Sequence, residues 1–193
     1  MKLARPSFGH TEMDYPLAKI FERAHFDFIQ LDREIETLER QYSKQKDLRI
    51  TKRMFEIVPR RTESGVITLI SGMAWLEKTL YAYAISYIDT DSYEEHFGTT
   101  RVLTRWLLVP RICQNKIVDE HCPIINDLRE FIKARNAVIH PKRQVMYEPS
   151  VAHRKVDKEA KRFLGACRKA KDTVLGLRQL LLTKVDEGKK TDR

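Results

Sequence analysis

Three residues close to the end of the stretch LREFIKARNAVIHPK could do chemistry together: Arg135, Asn136 and His140. A guanidinium is a permanent cation with a planar fork of donors, and an imidazole is the side chain best suited to moving protons near neutrality. Asn136 and His140 stand four residues apart and share a helix face, flanked on that side by Arg129 and Lys133. Arg135 and His140 are five apart, about 140° around an ideal helix, so they meet only if the arginine curls across or the last turn is distorted. Pro141 favours distortion, because the residue before a proline is biased away from the α region. At a helix C-terminus the dipole favours the imidazolium of His140, while the neighbouring cations oppose it.

Arg135 is out of place by its surroundings. Ile124, Ile125, Leu128, Phe131, Ile132, Val138 and Ile139 fall on one arc of the helix, and Arg135 falls near its centre. Arginine is seldom buried unless paired. A second helix shows the complementary oddity: Val66, Ile70, Met73, Leu80, Tyr81, Ala84 and Ile88 form a stripe with Glu77 in its middle. One anion and one cation on apolar faces suggest each other, so Glu77 is the expected supporting partner of Arg135. Two readings stay open for Arg135: a structural ion pair that fixes helix register, and a phosphate clamp beside His140.

The elements that must position these residues are helical. Seven glycines and seven prolines leave little punctuation, and few segments alternate like strands. The first helix is expected to open at Asp14 as N-cap with Pro16 in its first turn, carrying Leu17, Phe21, Ala24, Phe28, Leu31, Ile35, Leu38 and Tyr42 on one stripe. A matching series, Val156, Ala160, Phe163, Cys167, Ala170, Val174, Leu177 and Leu181, lies near the other end. The two stripes suggest long terminal helices paired antiparallel. Between them the pattern predicts a short segment from about Ile50 to Val58 and a helix from about Glu63 to Ile88. A single helical turn capped by Asp91 or Ser92 follows, then a helix from Thr100 to Leu108 stopped by Pro110, and a helix entered through Pro123 and ended by Pro141. The sum is an all-α chain, a bundle of four or five main helices. Residues 1–13 read as an N-terminal arm, 14–185 as one helical domain and 186–193, DEGKKTDR, as a disordered tail.

Composition narrows the function. A chain of 193 residues has room for one good core. The formal charge of +9, with acids sparse after Lys133, suits a polyanionic partner, nucleic acid first, or else a solvated basic face. Three cysteines, Cys113, Cys122 and Cys167, without a CxxC pair, fit a reduced cytoplasmic setting better than a disulfide framework. His121 beside Cys122 lacks the second close pair that a zinc site needs. No apolar run is long enough to span a bilayer, and a soluble cytoplasmic protein is expected. No phosphate-binding glycine loop, HExxH or GxSxG is present. His10, His25, His96, His121 and His153 read as surface or capping residues. Trp75, Trp106, Tyr81, Tyr83 and Tyr87 stand at helical spacing, as core or dimer contacts or as base-stacking groups.

The run RNAVIH, Arg135 to His140, resembles the signature of the HEPN superfamily: an arginine, a polar residue that is commonly asparagine, then a histidine near the end of a helix. The likeness is specific over about fifteen residues and architectural over the rest. It implies a four- or five-helix bundle that dimerises with the motif helices meeting across a cleft. It also implies a metal-independent endoribonuclease of toxin–antitoxin, abortive-infection or antiviral systems, or a relative that has lost catalysis and serves as a binding module. Carried over, Arg135 and His140 become the catalytic pair and Asn136 the accessory polar residue, while Arg129, Lys133, Lys142 and Arg143 become candidate RNA contacts. No cofactor and no metal are implied; the implied partners are RNA, a second copy of the chain and an antitoxin or other regulator. One subgroup, silenced by nucleotide transfer, carries a tyrosine two residues past the histidine; Lys142 stands there instead.

The chemistry implied needs these types. RNA is cut without metal when its 2′-OH attacks the adjacent phosphorus, which calls for a base, an acid and a cation for the phosphorane charge. One histidine cannot hold both proton states at once. Two His140 side chains, one per subunit, can divide the roles, and paired Arg135 guanidiniums offer the fork that phosphate oxygens accept. The competing expectations are a silent helical module of the same fold, with Arg135 locked to Glu77, and an adaptor that binds no nucleic acid.

Overall fold

A computed structural model describes residues 15–140 and 149–183, with side chains for 16–140 and 157–183. The described residues form six helices: α1 Tyr15–Gln45, α2 Leu48–Ile85, α3 Thr90–Phe97, α4 Val102–Gln114, α5 Pro123–Ile139 and α6 Pro149–Leu182. The chain is an all-α bundle, and among the described residues no helix is long and apolar enough to cross a membrane. The expected cap at Asp14, the arm 1–13, the tail 186–193, and the side chains of His10, His153 and Val156 lie outside the described residues.

Two residues turn α1 back into α2. Lys46 adopts a left-handed φ of 48°, and Asp47 caps α2 by accepting 2.8 Å from the Arg49 N–H. The turn lays α2 along α1, where Phe21, Ala24, Phe28 and Ile35 are buried as their spacing predicts. α2 is thus the most extensive partner of α1, where the matched stripes had suggested α6. The terminal helices do meet, and antiparallel: His25 lies beside Lys171 and Asp172, and Asp32 further along α1 meets Arg168 further back on α6. Asp32 is only 4% exposed and is shared by Arg61 of α2 at 3.1 Å and Arg168 of α6 at 2.6 Å. One buried carboxylate therefore ties three helices, and two guanidiniums offset its desolvation.

α2 is one helix of 38 residues, not two segments, and runs through Pro59. Proline removes one helical hydrogen bond, here to Phe55, and both residues are exposed. Ile57 on one side and Gly65, Thr68 and Leu69 on the other are buried, so packing carries the helix across the break. Pro110 likewise lies inside α4, which ends at Asn115 in the left-handed region with φ 53°. α3 has two turns rather than one, and its cap is Asp89, which accepts from the Ser92 N–H at 2.8 Å.

Where helices cross closely, glycine makes room. A Cβ on Gly72 would stand 2.9 Å from the Phe21 ring of α1 and 3.0 Å from the Phe131 ring of α5. Phe21 and Phe131 are each 1% exposed and belong to one core with Leu69, Leu76, Trp106, Leu128 and Leu177. Trp75, Trp106 and Tyr83 are core residues, Tyr81 is edge-on to Tyr93, and Tyr87 is exposed and accepts a bond from Gln114. Of the α6 stripe, Cys167, Ala170, Val174, Leu177 and Leu181 are buried, whereas Ala160 is exposed. Lys116, in the loop before α5, closes the C-terminus of α6 by donating to the carbonyls of Leu180 and Thr183.

Candidate functional site

α5 has the predicted bounds. Pro123 stands in its first turn, and His140 ends it with φ −121° and ψ 69°, outside helical values, its N–H still donating to the Asn136 carbonyl at 2.9 Å. Ile125, Leu128, Phe131 and Ala134 are its buried face. Arg135 points along the same side but lies near the end of the helix, where the core gives out, and is half-buried rather than enclosed.

What it meets there is a cavity of about 530 Å³ between α2, α4 and α5. The walls are Met73 and Glu77 of α2, Arg101 at the start of α4 with Val102 and Leu103, and Arg129, Ile132, Lys133, Arg135 and Asn136 of α5. Four cations and one carboxylate thus surround an apolar floor. The Arg135 Nη1 donates to Asn136 Oδ1 at 3.1 Å, while its Nε is shielded from solvent with no hydrogen-bond partner among the described residues. A buried unsatisfied guanidinium N–H carries a desolvation cost.

Glu77 corrects the expectation. Its ion-pair partner is Arg105 of α4 at 3.6 Å, and not Arg135. The physical reason is reach along the helix: α4 crosses α2 at this level, and Arg105, itself bonded to the Tyr93 hydroxyl at 3.4 Å, fills the space beside the carboxylate. Glu77 is also less buried than its stripe suggested, with 37% of its side chain exposed.

The other expected site residues divide. Arg129 and Lys133 line the cavity, Arg129 donating to Asn126 at 2.8 Å and Lys133 to Glu130 at 2.7 Å. Glu130 takes Arg162 of α6 on its other oxygen at 3.0 Å, and its carboxyl is held below the usual range, the Lys133 bond being the largest cause. His140 is exposed and is not among the residues lining the cavity. Lys142 and Arg143, with Pro141, lie outside the described residues.

Sequence reasoning missed Arg101 and Arg105. The available signal was an arginine in the N-cap place of α4, where Ser, Thr, Asp or Asn is usual, and Arg101 makes no side-chain cap bond. It also misjudged His25, which is neither surface nor cap: its ring stacks on Phe21 at 5.9 Å. His121 is exposed with Nε2 3.4 Å from Glu120, Cys122 is the N-cap of α5, and all three cysteines are free. No protein-family model, curated protein or solved structure matches this chain.

Proposed function

We propose that this chain is a metal-independent endoribonuclease of HEPN type, a toxin or antiviral defence effector that works as a homodimer in the cytoplasm. The observation that carries the reading is that the arginine and asparagine of RNAVIH open onto a cavity whose wall holds three further cations, Arg101, Arg129 and Lys133. That charge suits a phosphodiester. In this reading Arg135 clamps the phosphorane, Asn136 holds the guanidinium, and the two His140 side chains of a dimer act as base and acid, leaving a 2′,3′-cyclic phosphate. Ile67 and Ile70 support the dimer: each is 41% exposed, and Ile70 shares the α2 face with Met73 and Glu77 beside the cavity. An antitoxin or other regulator covering that face fits the same arrangement. The test is His140→Ala, which is expected to give a folded dimer that no longer cuts RNA in EDTA. Undiminished cutting by that variant would remove the reading.

A second reading, a silent module that binds RNA or a protein partner, is favoured by one observation: among the described residues His140 is exposed at the helix end with no side-chain bond, outside the cavity lining. Here the same substitution would leave RNA binding intact and there would be no cutting to lose.

A further inference from the structure

We propose that the α2–α4–α5 cavity is a subsite for a single nucleotide, with its phosphate on the arginine rim, its base against the apolar floor, and guanine preferred. The inference deepens the ribonuclease reading of this face and rests on it for the source of the nucleotide. At about 530 Å³ the cavity is of the size that takes one small ligand rather than a lone ion. A phosphate alone would leave Val102, Leu103 and Ile132 uncovered, whereas a nucleobase offers a flat apolar face for them. Apolar floor and cationic rim in one cavity are the two halves of a nucleotide.

The rim has unused capacity for the phosphate. Among the described residues Arg101 has no ion pair, and Arg135 bonds through Nη1 alone, to Asn136. Arg129 and Lys133 already bond to Asn126 and Glu130 and supply charge more than free donors. The first turn of α4, whose N-cap Arg101 makes no side-chain cap bond, begins at this rim.

The base side has one strong acceptor. Glu77 lines the floor, and Arg105 holds it through Oε2 at 3.6 Å, leaving lone pairs for a ligand. Asn136, the other acceptor on the wall, is engaged by Arg135. Guanine presents two adjacent donors, N1–H and the 2-amino group, to a carboxylate, while uracil presents one N–H between two carbonyls that the carboxylate repels. Glu77 is therefore a specificity residue for the base, and Arg101 a phosphate-binding residue outside the motif.

The test is calorimetric titration of the full-length His140→Ala protein with GMP, UMP and inorganic phosphate, and with short RNAs that contain or lack guanine. GMP is expected to bind saturably, and UMP and phosphate about tenfold or more weakly. Arg101→Gln should weaken GMP about tenfold, the loss of one charge-assisted contact, and Glu77→Gln should erase the preference for GMP over UMP. Arg60→Gln, an exposed residue away from the cavity, is the control and should change neither. A guanine-containing RNA that outcompetes GMP identifies RNA as the source; GMP that outcompetes every RNA identifies a free nucleotide. Absence of saturable GMP binding, equal affinity for UMP, or an Arg101→Gln protein that binds as before would overturn the proposal. RNA cutting by the unsubstituted protein with no GMP binding rejects the subsite alone, whereas GMP binding without RNA cutting rejects the ribonuclease reading alone.

Discussion

Arg135 is where the two expectations for this chain part company. A guanidinium in an apolar stripe reads as half of an ion pair or as a clamp, and spacing along one helix cannot separate them. The structure gives the carboxylate of Glu77 to Arg105 and leaves Arg135 with Asn136 and an unpartnered Nε. The missing information was the position of α4, since a partner across helices depends on which helix crosses at that height. Arg129, Lys133 and Asn136 were legible because residues three and four apart share a face in any helix. Arg135→Lys tests whether the fork itself matters: charge is kept and the planar donor pair is lost. RNA cleavage is expected to fall about 10²-fold, on the scale of losing one transition-state donor, with the melting temperature little changed. An unaltered cleavage rate, measured on one RNA under single-turnover conditions, would count against the clamp.

Element boundaries were legible where a physical stop operates and illegible where packing overrides it. Pro123 and Pro141 bracket α5 as expected, because a proline in the first turn and the bias before a proline act locally. Pro110 failed as the expected stop, being itself buried with Trp106 and Val109 in α4, and α2 runs through Pro59 because buried residues on either side hold it to its neighbours. The same long-range packing explains why α1 lies chiefly on α2: the two-residue turn at Lys46 and Asp47 imposes proximity that stripe matching could not weigh. Gly72 marks the three-helix junction behind the cavity, and its hydrogen is all that fits between Phe21 and Phe131. Alanine there gains about 1 kcal/mol of helix propensity but overpacks two buried rings, at a cost of about 1–3 kcal/mol. Gly72→Ala is thus expected to lower stability by up to about 2 kcal/mol in urea unfolding. A more stable variant would mean that the junction is looser than described.

At the scale of the whole molecule, the basic composition and the all-helical class were plain in the sequence, while the buried ties between distant helices were not. His25 shows what such ties do to stability. Burial lowers its pKa, with Lys171 adding to the effect and the backbone of Arg168 and Asp172 opposing it. The unfolded chain then binds a proton more readily than the folded one. Stability from this group is full above its ordinary value of 6.5 and is lost as pH falls through that value toward the lowered one. Between pH 7.5 and 5.5 the natural chain should therefore lose more stability than His25→Gln, as read by paired thermal melts; equal losses would contradict the assignment. The proposed cutting of RNA by this bundle's own side chains is tested by end-group analysis after incubation with RNA in EDTA. A 2′,3′-cyclic phosphate is expected at the new 3′ end, with no cut where the 2′-OH has been removed. Cleavage that stops in EDTA, or that persists at a 2′-deoxy position, would contradict it.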